Sequence, residues 1–343
     1  MTIFDLIKAQ ELVAYWENMT QDRPPMLGEE LWPNDQKLGM DLSWLKGASG
    51  LPIVLKPSAL DANAIPRQRI GFDKLHAEMP YFKESLYIDE KMRQELNIAM
   101  ETGNEAYIRI IIDKIFNDKV TLLEAAAARR EQMRFAILST GTLSIAANGQ
   151  SYTYDYGVPA THKPTVATSW SNANADIIGD IRAKQDLIED ETGVRPTRAI
   201  CSRKTWGYLL KNTDIRNAIL RNDSHVTVSD SEVVNYLRDL LDVDVVVYTK
   251  RFKDDSGVST KYMPDDVFTL LPPTALGKGW FGTTPEQSDL MSTGVANVAI
   301  TDTGVAVTTI QHADPVTVET KVTQLYLPDF PTADQICIID VIA

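Results

Sequence analysis

The sequence predicts an α+β fold: a compact body with a projecting arm, one long helix, and a mixed α/β segment inserted before strands resume near the C-terminus. Three observations carry this. From Gly50 to Glu84 the chain sets Pro52, Pro57, Pro66 and Pro80 among β-rich apolar runs separated by charges, as an extended two-stranded arm with little core would. Behind it, Ile108, Ile111, Ile112, Ile115, Leu122, Leu123, Ala126, Met133 and Ile137 recur at three- and four-residue steps, lining one helix face. Beyond a Pro-bearing loop, helical and extended patterns alternate up to Leu271, and strand-like runs return after Val316. Such an arm leaves edges and apolar side chains uncovered, so it needs a neighbouring subunit, which points to assembly rather than catalysis.

A chain of 343 residues suffices for two domains, or for one large domain with excursions. With 44% hydrophobic and 24% charged residues, the composition is that of an ordinary folded protein. A formal net charge of −13 argues against a general nucleic-acid binder, which needs a basic footprint. It still allows a container for DNA, because an acidic wall repels its cargo rather than trapping it. Cys201 and Cys337 match neither a disulfide framework nor a metal-ligand spacing, which fits a reducing compartment. The opening MTIFDLIKAQELVAYW lacks the basic and uninterrupted apolar regions of a signal peptide. No stretch approaches the ~20 apolar residues of a membrane span. A protein cytosolic during its synthesis is expected.

In chain order, Phe4, Leu6, Ile7, Leu12, Val13 and Trp16 predict a short amphipathic helix. An irregular segment with Trp32 and Trp44 follows, either lying across another surface or packed on its own domain. After the arm, Asp89 to Met100 reads as a helix ended by Thr102-Gly103-Asn104. The long helix then starts at an Asn104 cap and stops at Gly141, with Asp113, Lys114, Asp118, Glu124, Arg129 and Arg130 as its polar face. It shows no sustained heptad. Leu143 to Tyr154 reads as a hairpin turning at Asn148-Gly149. Past Pro159 and Pro164 come a helix through Ile177, Ile181 and Ile188, ended by Gly193, and a strand from Arg198 to Ser202. Helices at Lys204 to Leu210 and Ser231 to Leu241, a buried strand at Val243 to Tyr248 and strands at Val258 to Met263 and Val267 to Leu271 complete the segment. The tail gives strands through Val316 to Leu327 and Ile336 to Ile342, expected to rejoin the sheet left near Tyr154.

The chemistry of an enzyme is missing from the sequence. His76, His162, His225 and His312 are scattered without metal-ligand spacing. There is no nucleophile elbow, phosphate-binding loop or dinucleotide fingerprint, and Gly277-Lys278-Gly279 reads as a structural turn. Glu189-Asp190-Glu191 would supply paired carboxylates for acid/base work, but reads better as a solvated helix end, although acids there oppose the macrodipole. Asp265-Asp266 follows Pro264, where Asp most often makes a turn. The expectation is no catalytic residue, no metal and no cofactor. The arm's bases, Lys56, Arg67, Arg69 and Lys74, are read as intersubunit contacts, meeting the acidic surfaces that a chain of this charge presents, in preference to solvated guards of a ribbon edge.

The order of parts resembles the major capsid proteins of tailed phages, whose fold is shared by herpesvirus capsid floors and encapsulins. More narrowly it resembles the lambda-type major capsid protein E family. The residues that carry the likeness are GLPIVLKPSALDANAIPRQRIGFDKLHAEMPYFKE, VDVVVYTKRFKDDSGVSTKYMPDDVFTLLP and HADPVTVETKVTQLYLPDFPTADQICIIDV. The resemblance implies an N-terminal arm at 1–46, an extended loop at 47–86 and a peripheral domain with the spine helix at 87–166. An axial domain at 167–310 and C-terminal strands at 311–343 returning to the peripheral domain follow. It further implies hexamers and pentamers tiling an icosahedral head around double-stranded DNA, assembled in the bacterial cytoplasm and residing in the virion. Scaffolding is expected from a separate protein, beside a portal and a decoration protein, with no membrane partner and no covalent Lys–Asn cross-link through Lys56 or Lys74. The alternatives are an encapsulin-like shell holding protein cargo, and an enzyme built around Cys201, His225 or Asp265.

Overall fold

The computed structural model describes residues 8–20, 26–46, 73–88, 90–102, 105–147, 149–220, 228–254, 256–290, 296–314 and 316–343. The order opens with α1 (Ala9–Thr20), α2 (Leu27–Leu31), β1 (Asn34–Gln36), β2 (Asp41–Lys46), β3 (Asp73–Glu78) and β4 (Tyr81–Ile88). Next come α3 (Glu90–Glu101), α4 (Glu105–Thr140), the hairpin β5 (Thr142–Ala147) and β6 (Gln150–Asp155), then α5 (Ile177–Thr192) and β7 (Arg198–Cys201). After α6 (Arg203–Lys211), α7 (Thr213–Leu220) and α8 (Asp230–Leu241) lie β8 (Asp244–Val247), β9 (Arg251–Lys253), β10 (Ser259–Lys261) and β11 (Val267–Leu271). The chain ends with β12 (Gly279–Phe281), β13 (Asn297–Thr301), β14 (Val305–Ala313), β15 (Val316–Pro328) and β16 (Cys337–Asp340). It forms two units, one of residues 1–42, 77–133 and 278–329, the other of 43–76, 134–277 and 330–343.

The first unit is organised by β15. Its 13 residues pair antiparallel with β14, with β4 from Val318↔Ile88 to Leu325↔Tyr81, and with β12 through Tyr326↔Phe281. Alternation along a strand then divides its side chains between two faces. Thr320 and Gln324 meet Lys119 and Arg130 of α4, while Lys321 and Thr323 meet Glu286. The stretch from Tyr81, expected as the end of the loop, is thus a full strand of this sheet. Helix α1 buries Ala9, Leu12, Val13 and Trp16, one stripe at helical spacing. Ala9 N donates to Asn297 Oδ1 at 2.8 Å and the fully buried Trp32 gives its Nε1–H to the Asp329 carbonyl at 2.7 Å, so the described N-terminal segment packs on its own unit.

Helix α4 has 36 residues and ends at Gly141, whose φ of +73° suits glycine alone without strain. One expectation about it is corrected. Arg130, assigned to the polar face, is buried, as are Lys119, Glu131 and Arg134. The reason is that α4 is covered on more than one side, by β15 and by the N-terminal segment, where Gly28 N donates to Glu131 Oε1 at 3.1 Å.

In the second unit the sheet order is β16-β11-β7-β8, with β7 and β8 parallel and the other pairs antiparallel. Helices α6, α7 and α8 form the crossover that a parallel β7–β8 pair requires. The local stops and starts are chemical. Asp176 accepts from Gly179 N, Gly193 takes a left-handed φ of +73°, and Ser229 with Glu232 closes a capping box. The core gathers Trp170, Ile181, Trp206, Leu237 and Phe268. Two further expectations are corrected. The stretch Val243 to Tyr248 is not uniformly buried, because in β8 Asp244 and Val246 are exposed as befits an edge strand. The late strands do not rejoin the hairpin at Tyr154: among the described residues β5 and β6 pair only with each other, β15 belongs to the first unit, and β16 pairs with β11.

Candidate functional site

Of the four bases expected at subunit contacts, Lys56, Arg67 and Arg69 lie outside the described residues, and Lys74 lies within β3. Strand β3 pairs with β2, and Met79 N donates to the Met40 carbonyl at 2.9 Å just beyond. The residues on either side of 47–72 are therefore hydrogen-bonded neighbours. Beside this ribbon Leu38 is 88% exposed and Met40 43%. An apolar side chain so exposed has lost the burial that would stabilise it by ~25 cal/mol per Å².

The second exposed region surrounds β4. This strand pairs with β15 and with no second strand among the described residues, and Leu86 and Tyr87 are exposed on it. Ile98 of α3 and Ile110 of α4 are exposed as well. Between β4 and α4 lies a cleft of about 260 Å³ bordered by Leu86, Tyr87, Ile88, Ile115, Asp118 and Lys119. Lys119 is buried and donates to Thr320 Oγ1, and burial pulls its pKa down to about 8.

Two buried ionic groups fix the sheet between its neighbours. On the α4 side Arg130 reaches Asp302 Oδ2 and Gln324 Oε1, each at 2.9 Å. On the other side Glu286 meets Lys321 Nζ at 2.7 Å, Tyr81 OH at 2.9 Å and Thr323 Oγ1 at 3.1 Å. Burial and then the adjacent Glu286 carboxylate raise the Tyr81 pKa above its ordinary value. Periodicity does not reveal these residues, because each reads as a polar position on a helix or strand.

Of the residues that an enzyme would have used, the described ones are engaged otherwise. Cys201 is buried, its thiol pushed up to about 12, and His225 lies outside the described residues. Asp265 takes Ser202 Oγ and Lys261 Nζ, each at 2.7 Å, while Ser202 caps α6 at Thr205 N, so this trio anchors a helix start. Asp266 holds Lys204 at 2.7 Å and Tyr208 at 2.8 Å. The acidic end of α5 also has its account. Arg195 bridges Glu189 at 2.5 Å and Asp186 at 2.8 Å, and Glu191 meets the buried His162 at 3.0 Å. Lys278 pairs with Asp35 at 2.6 Å, as a structural turn residue. No group of three metal-capable side chains occurs among the described residues.

A sheet organised on one long strand, a long helix against it, a paired ribbon before it and an α/β unit interposed in the chain constitute the tailed-phage major capsid fold. The chain belongs to the phage major capsid protein E family, whose sequence model matches residues 8–341, and its role is that of a structural capsid protein. Solved structures agree in fold. A prophage protein from E. coli CFT073 described as a capsid protein superposes with a TM-score of 0.61 at 14% identity, covering 98% of this chain and 99% of that one. A phage-related protein from Bordetella bronchiseptica RB50 gives 0.56 at 13% identity, covering 98% and 97%. The capsid of cyanophage A-1(L) gives 0.53 at 14% identity, covering 93% and 92%. No curated protein matches the chain.

Proposed function

We propose that this protein assembles into the hexamers and pentamers of an icosahedral phage head enclosing double-stranded DNA. The observation that carries the reading is the β2–β3 pair: the residues on either side of 47–72 are hydrogen-bonded neighbours, as the two ends of a loop reaching onto an adjacent subunit would be. In this reading Lys56, Arg67, Arg69 and Lys74 meet acidic surfaces of that subunit, and the net charge of −13 supplies them. Residues 1–46 act as the arm and 47–80 as the loop, with the sheet of β4 and β12–β15 as the peripheral part and the β16-β11-β7-β8 sheet as the axial part. Head-to-tail contacts close into rings by rotation, and obligate interfaces of ~2,000–5,000 Å² would cover the exposed apolar side chains. DNA is enclosed without sequence-specific binding. A separate scaffolding protein, a portal and a decoration protein complete the particle, which assembles in the host cytoplasm and persists in the virion. The protein catalyses no reaction in this role and needs no cofactor or membrane.

Deleting residues 61–69 tests the loop. The expected result is a folded protein by circular dichroism that forms no closed shells in negative-stain micrographs, where the intact chain does. Normal particles from the deletion variant would refute the loop's role.

A further inference from the structure

We infer that the cleft between β4 and α4 receives a carboxylate side chain from a second copy of this chain, with Lys119 as its counter-ion. The inference rests on the shell reading above and adds to it a site and a ligand chemistry. Lys119 sits 2% exposed at this cleft, with the Thr320 hydroxyl as its hydrogen-bond acceptor. No carboxylate pairs with it among the described residues, and Asp118, which also borders the cleft, makes no ion pair to it. A neutral hydroxyl is weak compensation for an ammonium taken out of water, since buried charges are kept by pairing. The same helix shows the contrast, for Arg130 has Asp302.

The walls define what fits. Leu86, Tyr87, Ile88 and Ile115 are apolar, and Leu86 and Tyr87 are exposed while the copy stands alone. An occupant therefore brings an acidic head on an apolar stem, as a Glu or Asp beside an apolar residue does, and covers the two side chains as it seats. A nucleic-acid phosphate fits less well, because it offers nothing to the apolar walls. The acid is in supply on another copy, which carries 47 Asp and Glu against 34 Lys and Arg. The other edge of β4, which pairs with no strand among the described residues, lies alongside, ready to fix an incoming extended segment.

Zero-length carbodiimide coupling on shells assembled from equal amounts of unlabelled and ¹⁵N-labelled chain tests this by mass spectrometry. The expected product joins Lys119 to an Asp or Glu through an amide in mixed-isotope peptide pairs. The Lys321–Glu286 and Lys278–Asp35 pairs, at 2.7 and 2.6 Å, serve as internal controls that couple only within one isotope. Lys119→Met should weaken association by about tenfold or more while the protein stays folded, and Lys119→Arg should retain most of it. Shells in which the controls couple but Lys119 does not, or couples only within its own chain, overturn the site and leave the shell reading standing. A chain that builds no shell under any condition overturns both.

Discussion

Arg130 Nη2 lies 2.9 Å from Asp302 Oδ2 and joins the long helix to the turn between β13 and β14. The guanidinium also lies over the Phe281 ring, 5.4 Å from its centroid, and donates to Gln324. The other oxygen of Asp302 accepts Trp16 Nε1–H at 3.2 Å. One carboxylate thus holds α1, α4 and the β13–β14 turn together. A planar fork that reaches two acceptors and an aromatic face is a role that lysine does not fill.

Neutralising either partner should be costly. Asp302→Asn keeps the left-handed φ of +47°, which Asn tolerates, and keeps an acceptor for Trp16 while losing the charge. A loss of about 2 kcal/mol is expected from a hydrogen bond to a charged group. Arg130→Met should lose about 3 kcal/mol, as breaking a buried pair does. Because the two act on one interaction, the double variant should lose clearly less than the sum. Urea unfolding of the unassembled chain measures this, and additive losses would show that the pair is not coupled.

The same helix shows where sequence reading succeeds and where it stops. Its length and its end at Gly141 follow from periodicity and one glycine, both local properties. The β5–β6 hairpin follows from Asn148-Gly149 in the same way. The burial of Lys119, Arg130 and Glu131 does not, because it depends on what β15 and the N-terminal segment bring to the helix from far along the chain. Likewise an apolar alternating run identifies β15 and β16 as strands, while their partners are fixed by long-range pairing that no local pattern encodes. Of the expected contact residues, the sequence places Lys74 on a ribbon that the structure contains, but the cleft at Lys119 arises only once β4 and α4 are adjacent.

Stability should fall with acid through Glu286. Burial pushes its pKa up, yet the Lys321 ammonium, its own backbone and the Tyr81 hydroxyl together hold it below the ordinary 4.5. A carboxyl depressed in the folded state contributes stability that is full above the unfolded value and is lost as pH falls through the folded one. The loss therefore begins below 4.5. Glu286→Gln should be less stable than the parent at about pH 6, and the gap should shrink towards about pH 3, below the ordinary value, as the stability contributed by the charged carboxyl is lost. Urea midpoints at both values check this. A gap that is equal at the two pH values would mean that the charge on Glu286 contributes nothing.

Cys201 and Cys337 flank β11 on its two sides, opposite Phe268 and Leu270. Burial pushes each thiol up to about 12, with Lys184 only partly opposing it at Cys337. The thiolate is the reactive form, so at about pH 8 the folded protein presents roughly one part in ten thousand of it, in a place reagents do not reach. An aromatic disulfide reagent should therefore leave both residues unlabelled in the native chain. Labelling should appear only when the sheet β16-β11-β7-β8 opens, and both sites should then react together, because separating β11 from either neighbour exposes the common core. Mass spectrometry of samples quenched across a urea series gives the two rates. Equal rates that climb with urea in step with loss of near-ultraviolet dichroism are expected. Rapid labelling of Cys337 alone in buffer would mean that β16 detaches from the sheet by itself, and the joint opening expected here would have to be given up.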